Sequence, residues 1–98
     1  MIIIFSPQLR NDTLTLAKQG DALTINSVEI DFSPLESGTK LPPEVCQTYS
    51  PFLLAAQRNE DGELELTILL PHTSNASEAA RYPQPIVNPS NGQIQIPS

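Results

Sequence analysis

Thr13–Phe32 reads TLTLAKQGDALTINSVEIDF, and its apolar residues alternate with polar ones. Strict alternation is typical of β-strands that bury one face and leave the other in water. Two dipeptides that favour tight turns, Gln19-Gly20 and Asn26-Ser27, interrupt the alternation. The stretch therefore predicts a three-stranded antiparallel β-meander.

The first turn sets one pairing register. If Gln19-Gly20 forms the two central residues, Lys18 lies opposite Asp21 and Leu16 opposite Leu23. This arrangement pairs opposite charges and keeps one face apolar.

The second turn keeps the same face of the sheet apolar. Asn26-Ser27 as central residues place Ile25 opposite Val28 and Leu23 opposite Ile30. We therefore expect the isoleucines of the meander to lie in the core.

A second hairpin is predicted from Phe52 to Leu70, closed by Asp61-Gly62. This turn places Arg58 opposite Glu65; it also pairs Ala55 with Ile68 and Leu53 with Leu70. The strand from Leu64 starts in alternation and ends continuously apolar, which indicates that its far end is covered on both faces. We expect that end to lie deepest in the domain.

The remaining segments are less regular. Met1–Phe5 is apolar and predicts the first strand, ended by a proline. Ser33–Pro43 predicts a surface crossover that Leu35 and Leu41 pin to the core. Glu44–Tyr49 fits either a short strand or one helical turn. Thr73–Ala80 predicts a short helix with a cap at Ser74 or Asn75.

Residues 82–98 contain no charged side chain and are rich in proline. They predict either an extended arm or an edge hairpin turned at Asn91-Gly92, appended to a single β domain of residues 1–81. The first part of this segment is a preordered apolar strip suited to docking on a protein. Its predicted protein-interaction residues are Tyr82, Pro83, Pro85, Ile86 and Val87.

The charge balance excludes several classes of partner. The chain has 11 Asp and Glu residues against 5 Lys and Arg, a formal net charge of −6. Such a field repels nucleic-acid phosphates and anionic lipid surfaces, so we expect neither a nucleic-acid nor a membrane partner. No stretch approaches the roughly 20 apolar residues that cross a bilayer, and the single cysteine cannot form an internal disulfide. We expect a soluble, cytoplasmic protein.

Few residues of the sequence are candidates for catalysis. His72 is the only histidine and Cys46 the only cysteine, and no orienting third group stands at a recognisable spacing. The densest acidic cluster consists of Glu60, Asp61, Glu63 and Glu65. Its spacing does not fit an EF-hand loop and fits the polar end of a hairpin. No glycine-rich phosphate-binding motif is present. We expect no enzyme activity, no metal and no cofactor.

The order of several segments resembles small proteins encoded in phage and prophage tail-gene clusters. The segments are Asp12–Leu16, Leu23–Asn26, Ile30–Ser33, Leu66–His72 and Arg81–Ile86. The resemblance spans most of the chain and brings no catalytic motif with it. It implies an accessory protein of phage tail or tail-fibre assembly, in the cytoplasm of a bacterial host or incorporated in a virion.

The sequence thus predicts a mainly β fold, a small antiparallel meander plus a β-hairpin with a proline-rich C-terminal arm. The predicted function is non-enzymatic, through protein contacts in phage tail structure or assembly. The alternative is a small hydrolase or ligand-binding module that uses Cys46, His72 and nearby carboxylates. A third class, an inhibitor or host-interaction protein, would use the same surfaces as the first.

Overall fold

The computed structural model describes residues 1–74 and 78–97 and is mainly β. Its strands are β1 (Ile2–Leu9), β2 (Leu16–Gln19), β3 (Ala22–Ile25), β4 (Val28–Asp31), β5 (Thr39–Leu41), β6 (Leu53–Arg58), β7 (Leu64–His72), β8 (Ile86–Val87) and β9 (Gly92–Ile94). Its helices are α1 (Pro43–Tyr49) and α2 (Glu78–Arg81).

The strands form two sheets around a shared core. The first sheet has the order β5-β6-β7-β1-β8, and the second has the order β4-β3-β2-β9. Neighbouring strands are antiparallel, with the exception of β1 and β7. One hydrophobic cluster contains side chains from both sheets and from α1. The predicted fold class is confirmed.

The meander forms as β2, β3 and β4. Asn26 and Ser27 have φ values of +48° and +72°, as a type I′ turn requires of both central residues. The Asn26 side chain reinforces the turn, since its Oδ1 accepts a hydrogen bond from the Thr15 amide at 2.7 Å. The predicted register is confirmed, with the pairs Ile25–Val28 and Leu23–Ile30.

The turn between β2 and β3 lies one residue later than predicted. Its central residues are Gly20 and Asp21, so Lys18 lies opposite Leu23 instead of Asp21. Gly20 has a φ of +60°, which fits the first central position of a type II′ turn. The observed pairs are Leu16–Ile25, Ala17–Thr24, Lys18–Leu23 and Gln19–Ala22. Each partner moves by two residues, so the same face remains buried.

The hairpin between β6 and β7 also forms, but Asp61-Gly62 is not a two-residue turn. The Asn59 amide donates to the Glu63 carbonyl at 3.0 Å, which leaves a three-residue loop between them. Gly62, with a φ of +85°, takes the left-handed position that ends such a loop. The Asn59 Oδ1 atom accepts hydrogen bonds from the amides of Asp61 and Glu63.

This longer loop changes the pairing of the two strands. Arg58 lies opposite Leu64, so the predicted pair of Arg58 with Glu65 is wrong. A β-bulge between Leu53 and Ala55 then shifts the register once more, and Ile68 pairs with Leu53. The predicted pairs Ala55–Ile68 and Leu53–Leu70 are therefore wrong: the longer loop pairs Ala55 with Thr67, and the bulge alters only the Leu53 pair.

The first strand is longer than predicted and is central. β1 runs parallel to β7 over its whole length and pairs with β8 only at Ile2 and Ile3. The Asn88 amide donates to the Met1 carbonyl, so the Met1 backbone faces β8. Every second residue of a strand points its backbone polar groups to the same edge, so Pro7 also faces the β8 side, but it lies beyond the end of β8. Proline therefore costs no ladder hydrogen bond at this position, where β8 no longer pairs with β1.

The segment between the sheets contains more structure than predicted. β5 lies within the predicted crossover, while Leu35 and Leu41 pack against the core as predicted. The open alternative for Glu44–Tyr49 is decided in favour of a helix, α1. A proline at its first position and Glu44 in its first turn both favour this helix start.

The far end of β7 is buried on both faces, as predicted. Ile68, Leu69 and Leu70 are each at most 3% exposed. α2 contacts β1 and β7, and Ala80 of α2 is buried. The helix predicted from Thr73 is confirmed only as α2, and its predicted cap at Asn75 lies outside the described residues.

Candidate functional site

The five predicted interaction residues form a strip at one edge of the first sheet. We call Tyr82, Pro83, Pro85, Ile86 and Val87 the contact strip; it follows α2 and ends in β8. Tyr82 is 69% exposed and Val87 is 62% exposed. Pro85 is also exposed, whereas Pro83 is partly buried and Ile86 packs against the core. Large apolar side chains therefore face solvent on a segment without charge.

The strip is attached mainly through its backbone. Ile86 pairs with Ile3, and the Asn88 amide donates to the Met1 carbonyl at 2.8 Å. Successive residues of a strand point their backbone N–H and C=O groups to opposite edges, so those of Val87 point away from β1. Within the described residues, no strand lies beyond β8. The strip thus offers one free strand edge and the exposed side chains of Tyr82, Pro85 and Val87.

A second attachment lies downstream, on the second sheet. β9 pairs with β2, and Ile94 is only 6% exposed within the core cluster. The Asn91 Oδ1 atom accepts hydrogen bonds from the Gly20 amide at 3.0 Å and from Lys18 Nζ at 3.1 Å. β8 and β9 thus pair with different sheets, so Asn91-Gly92 does not close a hairpin between them. The domain boundary at residue 82 stays a prediction.

A groove opens where the end of β4 meets β5 and the end of α1. Its volume is about 180 Å³. Its lining residues are Ile30, Asp31, Phe32, Pro34, Leu35, Leu41 and Tyr49. The walls are mostly apolar, and the exposed Asp31 and the half-exposed Tyr49 also belong to the lining.

Arg58 holds the loop that forms one wall of the groove. Its Nε donates to the Leu35 carbonyl at 2.7 Å, and its Nη2 donates to the Phe32 carbonyl at 3.0 Å. Its Nη1 donates to the Gly62 carbonyl, and an Asp21 carboxylate oxygen lies 3.5 Å from Nη2. The Arg58 side chain is only 12% exposed, so its hydrogen bonds to the loop carbonyls are largely shielded from water, whereas Asp21 is 52% exposed. The wall formed by Phe32 and Leu35 is thus hydrogen-bonded to β6.

Asp31 supplies a charge at the groove. Its Oδ1 accepts a hydrogen bond from the Ser33 amide at 3.0 Å, and this bond holds the pKa of the carboxyl below its usual value. Asp31 takes part in none of the ion pairs found among residues 1–74 and 78–97. It is therefore an anion at neutral pH without a cationic partner there.

Cys46 and His72 lie on different elements of the fold. Cys46 lies on α1, which packs on β6, and is fully buried; burial raises the pKa of its thiol. His72 ends β7, and its Nδ1 lies 3.0 Å from the Thr73 carbonyl oxygen. No hydrogen bond links the two side chains within the described residues. A buried thiol with a raised pKa is poorly suited to act as a nucleophile.

The acidic residues near the β6–β7 loop make separate contacts or lie in solvent. Glu63 accepts a hydrogen bond from the Met1 amino group at 3.1 Å, and Glu65 accepts one from Gln57 at 3.3 Å. Glu60 and Asp61 lie in the exposed loop. Nowhere in the described ranges do three His, Cys, Asp or Glu side chains converge on a metal-binding position.

No helix formed by the described residues is long and apolar enough to cross a membrane.

Comparison of the chain with protein-family models, with characterised proteins and with solved structures found no match.

The groove was missed from the sequence. Its lining residues all lie between positions 30 and 49, but they belong to β4, β5, α1 and the loop after β4, and their arrangement depends on tertiary packing. The available signal was the pair of isolated leucines, Leu35 and Leu41, in an otherwise polar and proline-rich loop. Isolated apolar residues in a loop indicate a packing contact, but they do not indicate a concave surface.

Proposed function

We propose that this chain is a non-enzymatic protein that binds another protein through the contact strip, in the structure or assembly of a phage tail. The observation that carries the proposal is the exposure of Tyr82 and Val87, at 69% and 62%, on a segment whose backbone is tied to β1. Exposed aromatic and aliphatic side chains on an uncharged strip are characteristic of contact surfaces.

The prolines of the strip favour binding. Pro83 and Pro85 restrict the backbone φ angle, so the strip has fewer conformations to lose when a partner docks on it. Backbone pairing of Ile86 with Ile3 adds a further restraint. A preordered strip of this kind converts more of its buried apolar area into affinity.

The proposed setting comes from the resemblance to phage and prophage tail-cluster proteins, which implies action in a bacterial cytoplasm or in a virion. The net charge of −6 supports a protein partner over a nucleic acid. An inhibitor or host-interaction role would use the same strip.

The hydrolase alternative has less support. It requires a reactive Cys46 thiolate, and this side chain is fully buried with a raised pKa. It also requires His72 as a base, and among the described residues no hydrogen bond joins the His72 and Cys46 side chains. Protein contact through an exposed strip requires neither residue.

Complementation of a phage or prophage that lacks this chain tests the proposal. We expect the double variant Tyr82→Lys, Val87→Lys to fold normally and to lose infectious particles, because two charges replace the apolar contacts. Val28→Lys is the matched control, since Val28 is 47% exposed on β4, away from the strip. We expect Val28→Lys and the double variant Cys46→Ser, His72→Ala to support assembly.

Two results would overturn the proposal. One is full assembly by the folded Tyr82→Lys, Val87→Lys chain. The other is loss of assembly by a folded Cys46→Ser, His72→Ala chain, which would favour the hydrolase alternative. Thermal unfolding of each purified variant establishes that it is folded.

A further inference from the structure

The groove has the size and chemistry to accept an aromatic side chain. Its volume of about 180 Å³ exceeds that of a cavity known to hold benzene, about 150 Å³. Its walls include Ile30, Phe32 and Leu41, which would surround a ring with apolar contacts. Asp31 in the lining would favour a ring that carries a positive charge beside it.

The chain itself carries such a pair of groups. Arg81 directly precedes Tyr82, and the Arg81 Cζ atom lies 5.9 Å from the centre of the Tyr82 ring. Both side chains are exposed, and Arg81 takes part in none of the ion pairs of the described residues. A cation and an aromatic ring therefore project together into solvent.

The groove and the Arg81-Tyr82 pair lie toward opposite edges of the first sheet. Leu41 of the groove is in β5 at one edge, and the contact strip ends in β8 at the other edge. Four strand spacings separate these edges, a distance of about 19 Å. With Tyr82 69% exposed, the pair does not occupy the groove of its own chain.

From this complementarity we infer that the groove of one copy receives Tyr82 of a second copy, with Arg81 of that copy paired to Asp31. The inference rests on the proposed function, that the contact strip binds protein, and names the partner. Because donor and receiver are different surfaces, the contact is head-to-tail and leaves one free donor and one free groove at the ends. Repetition of the contact builds rings or filaments instead of closed dimers.

The test uses two variants that each lose one surface. Asp31→Arg reverses the charge of the groove and keeps the donor pair. The double variant Arg81→Asp, Tyr82→Ala removes the donor pair and keeps the groove. Asp31→Asn removes the charge but retains an Oδ1 acceptor for the Ser33 amide, so it controls for changes in the loop. Sedimentation velocity measures self-association over a range of concentrations.

We expect the wild-type chain to form species larger than a dimer as its concentration rises. Asp31→Arg alone and Arg81→Asp, Tyr82→Ala alone should each associate at least about tenfold more weakly. A mixture of Asp31→Arg with Arg81→Asp, Tyr82→Ala should form one-to-one dimers and nothing larger, since one good donor and one good groove remain. The charge exchange Asp31→Arg, Arg81→Asp within one chain should restore association.

A wild-type chain that stays monomeric at all concentrations overturns the inference. A mixture that stays monomeric, or single variants that associate as the wild type does, also overturn it. If Tyr82→Lys, Val87→Lys nevertheless abolishes particle assembly, the proposed function stands and the strip binds a different protein. Failure of both experiments removes both proposals.

Discussion

The meander and the C-terminal segment attach to the same core in different ways. In the meander, consecutive strands are joined by two-residue turns, and Leu23 and Ile25 are completely buried. In the C-terminal segment, β8 and β9 pair with strands that lie far away in the sequence and in different sheets. That segment leaves Tyr82 69% exposed. The meander therefore supplies side chains to the core from consecutive strands, whereas the C-terminal segment is held by a few anchors and presents side chains outward.

The largest expected effect lies in the meander. Ile25→Ala removes most of a completely buried side chain, so we expect the free energy of unfolding to fall by about 2–5 kcal/mol. Thr24→Ala, one position away on the more exposed face, is the control and should be nearly neutral. Urea denaturation measures both variants. Equal losses in the two variants would show that the buried face is assigned incorrectly.

Ile94→Ala tests whether the C-terminal segment is docked. Ile94 is 6% exposed in an edge strand of three residues, which can relax around a cavity more easily than the meander can. We expect a loss of about 1–3 kcal/mol by urea denaturation. The neighbouring exposed variant Gln93→Ala should have no measurable effect. An unchanged stability for Ile94→Ala would mean that the segment contributes nothing to the folded domain.

Asn91→Ala tests the polar anchor between the segment and the meander. It removes the acceptor for the Gly20 amide and for Lys18 Nζ, so we expect a loss of about 0.5–1.5 kcal/mol. Asn91→Asp keeps an acceptor oxygen beside the lysine and should retain most of the stability. Thermal unfolding of the two variants distinguishes the lost hydrogen bonds from a general disturbance, which would affect both equally.

Tyr82→Ala should have the smallest effect on stability, within about 0.5 kcal/mol of the wild type, because the ring is largely exposed. The same change should weaken binding to the partner, since the ring is proposed to be the main contact. Tyr82→Phe keeps the ring and should retain binding. A large loss of stability in Tyr82→Ala would instead identify the ring as part of the domain's own packing.

The same contrast decides how much could be predicted from sequence. Turn chemistry predicted the Asn26-Ser27 register correctly because two adjacent strands and one turn type suffice to define it. At Gly20 the apolar pattern fits two registers that differ by two residues, so the buried face was correct and the turn position was wrong. The bulge after Leu53 has no comparable local signal.

The pairing of strands that are distant in the sequence could not be predicted from the apolar pattern. The parallel match of β1 with β7 and the pairing of the two tail strands with different sheets bring together residues more than 60 positions apart. The alternation of apolar and polar residues defines the two faces of a strand, but it does not determine which strand pairs with it. The groove depends on how β4, β5 and α1 pack against one another, which alternation also does not define, so the contact strip was predicted from its composition and the groove was not.

The contact strip is tested most directly by hydroxyl-radical footprinting of Tyr82 in the isolated chain, kept dilute enough to be monomeric, and in its working assembly. Phe32, which is 2% exposed, provides an unreactive reference as long as the domain stays folded. We predict that Tyr82 is oxidised rapidly in the isolated chain and becomes strongly protected in the assembly, with Phe32 protected in both. Equal oxidation of Tyr82 in the two states, while Phe32 remains protected, would contradict the claim that the contact strip is where this protein binds its partner.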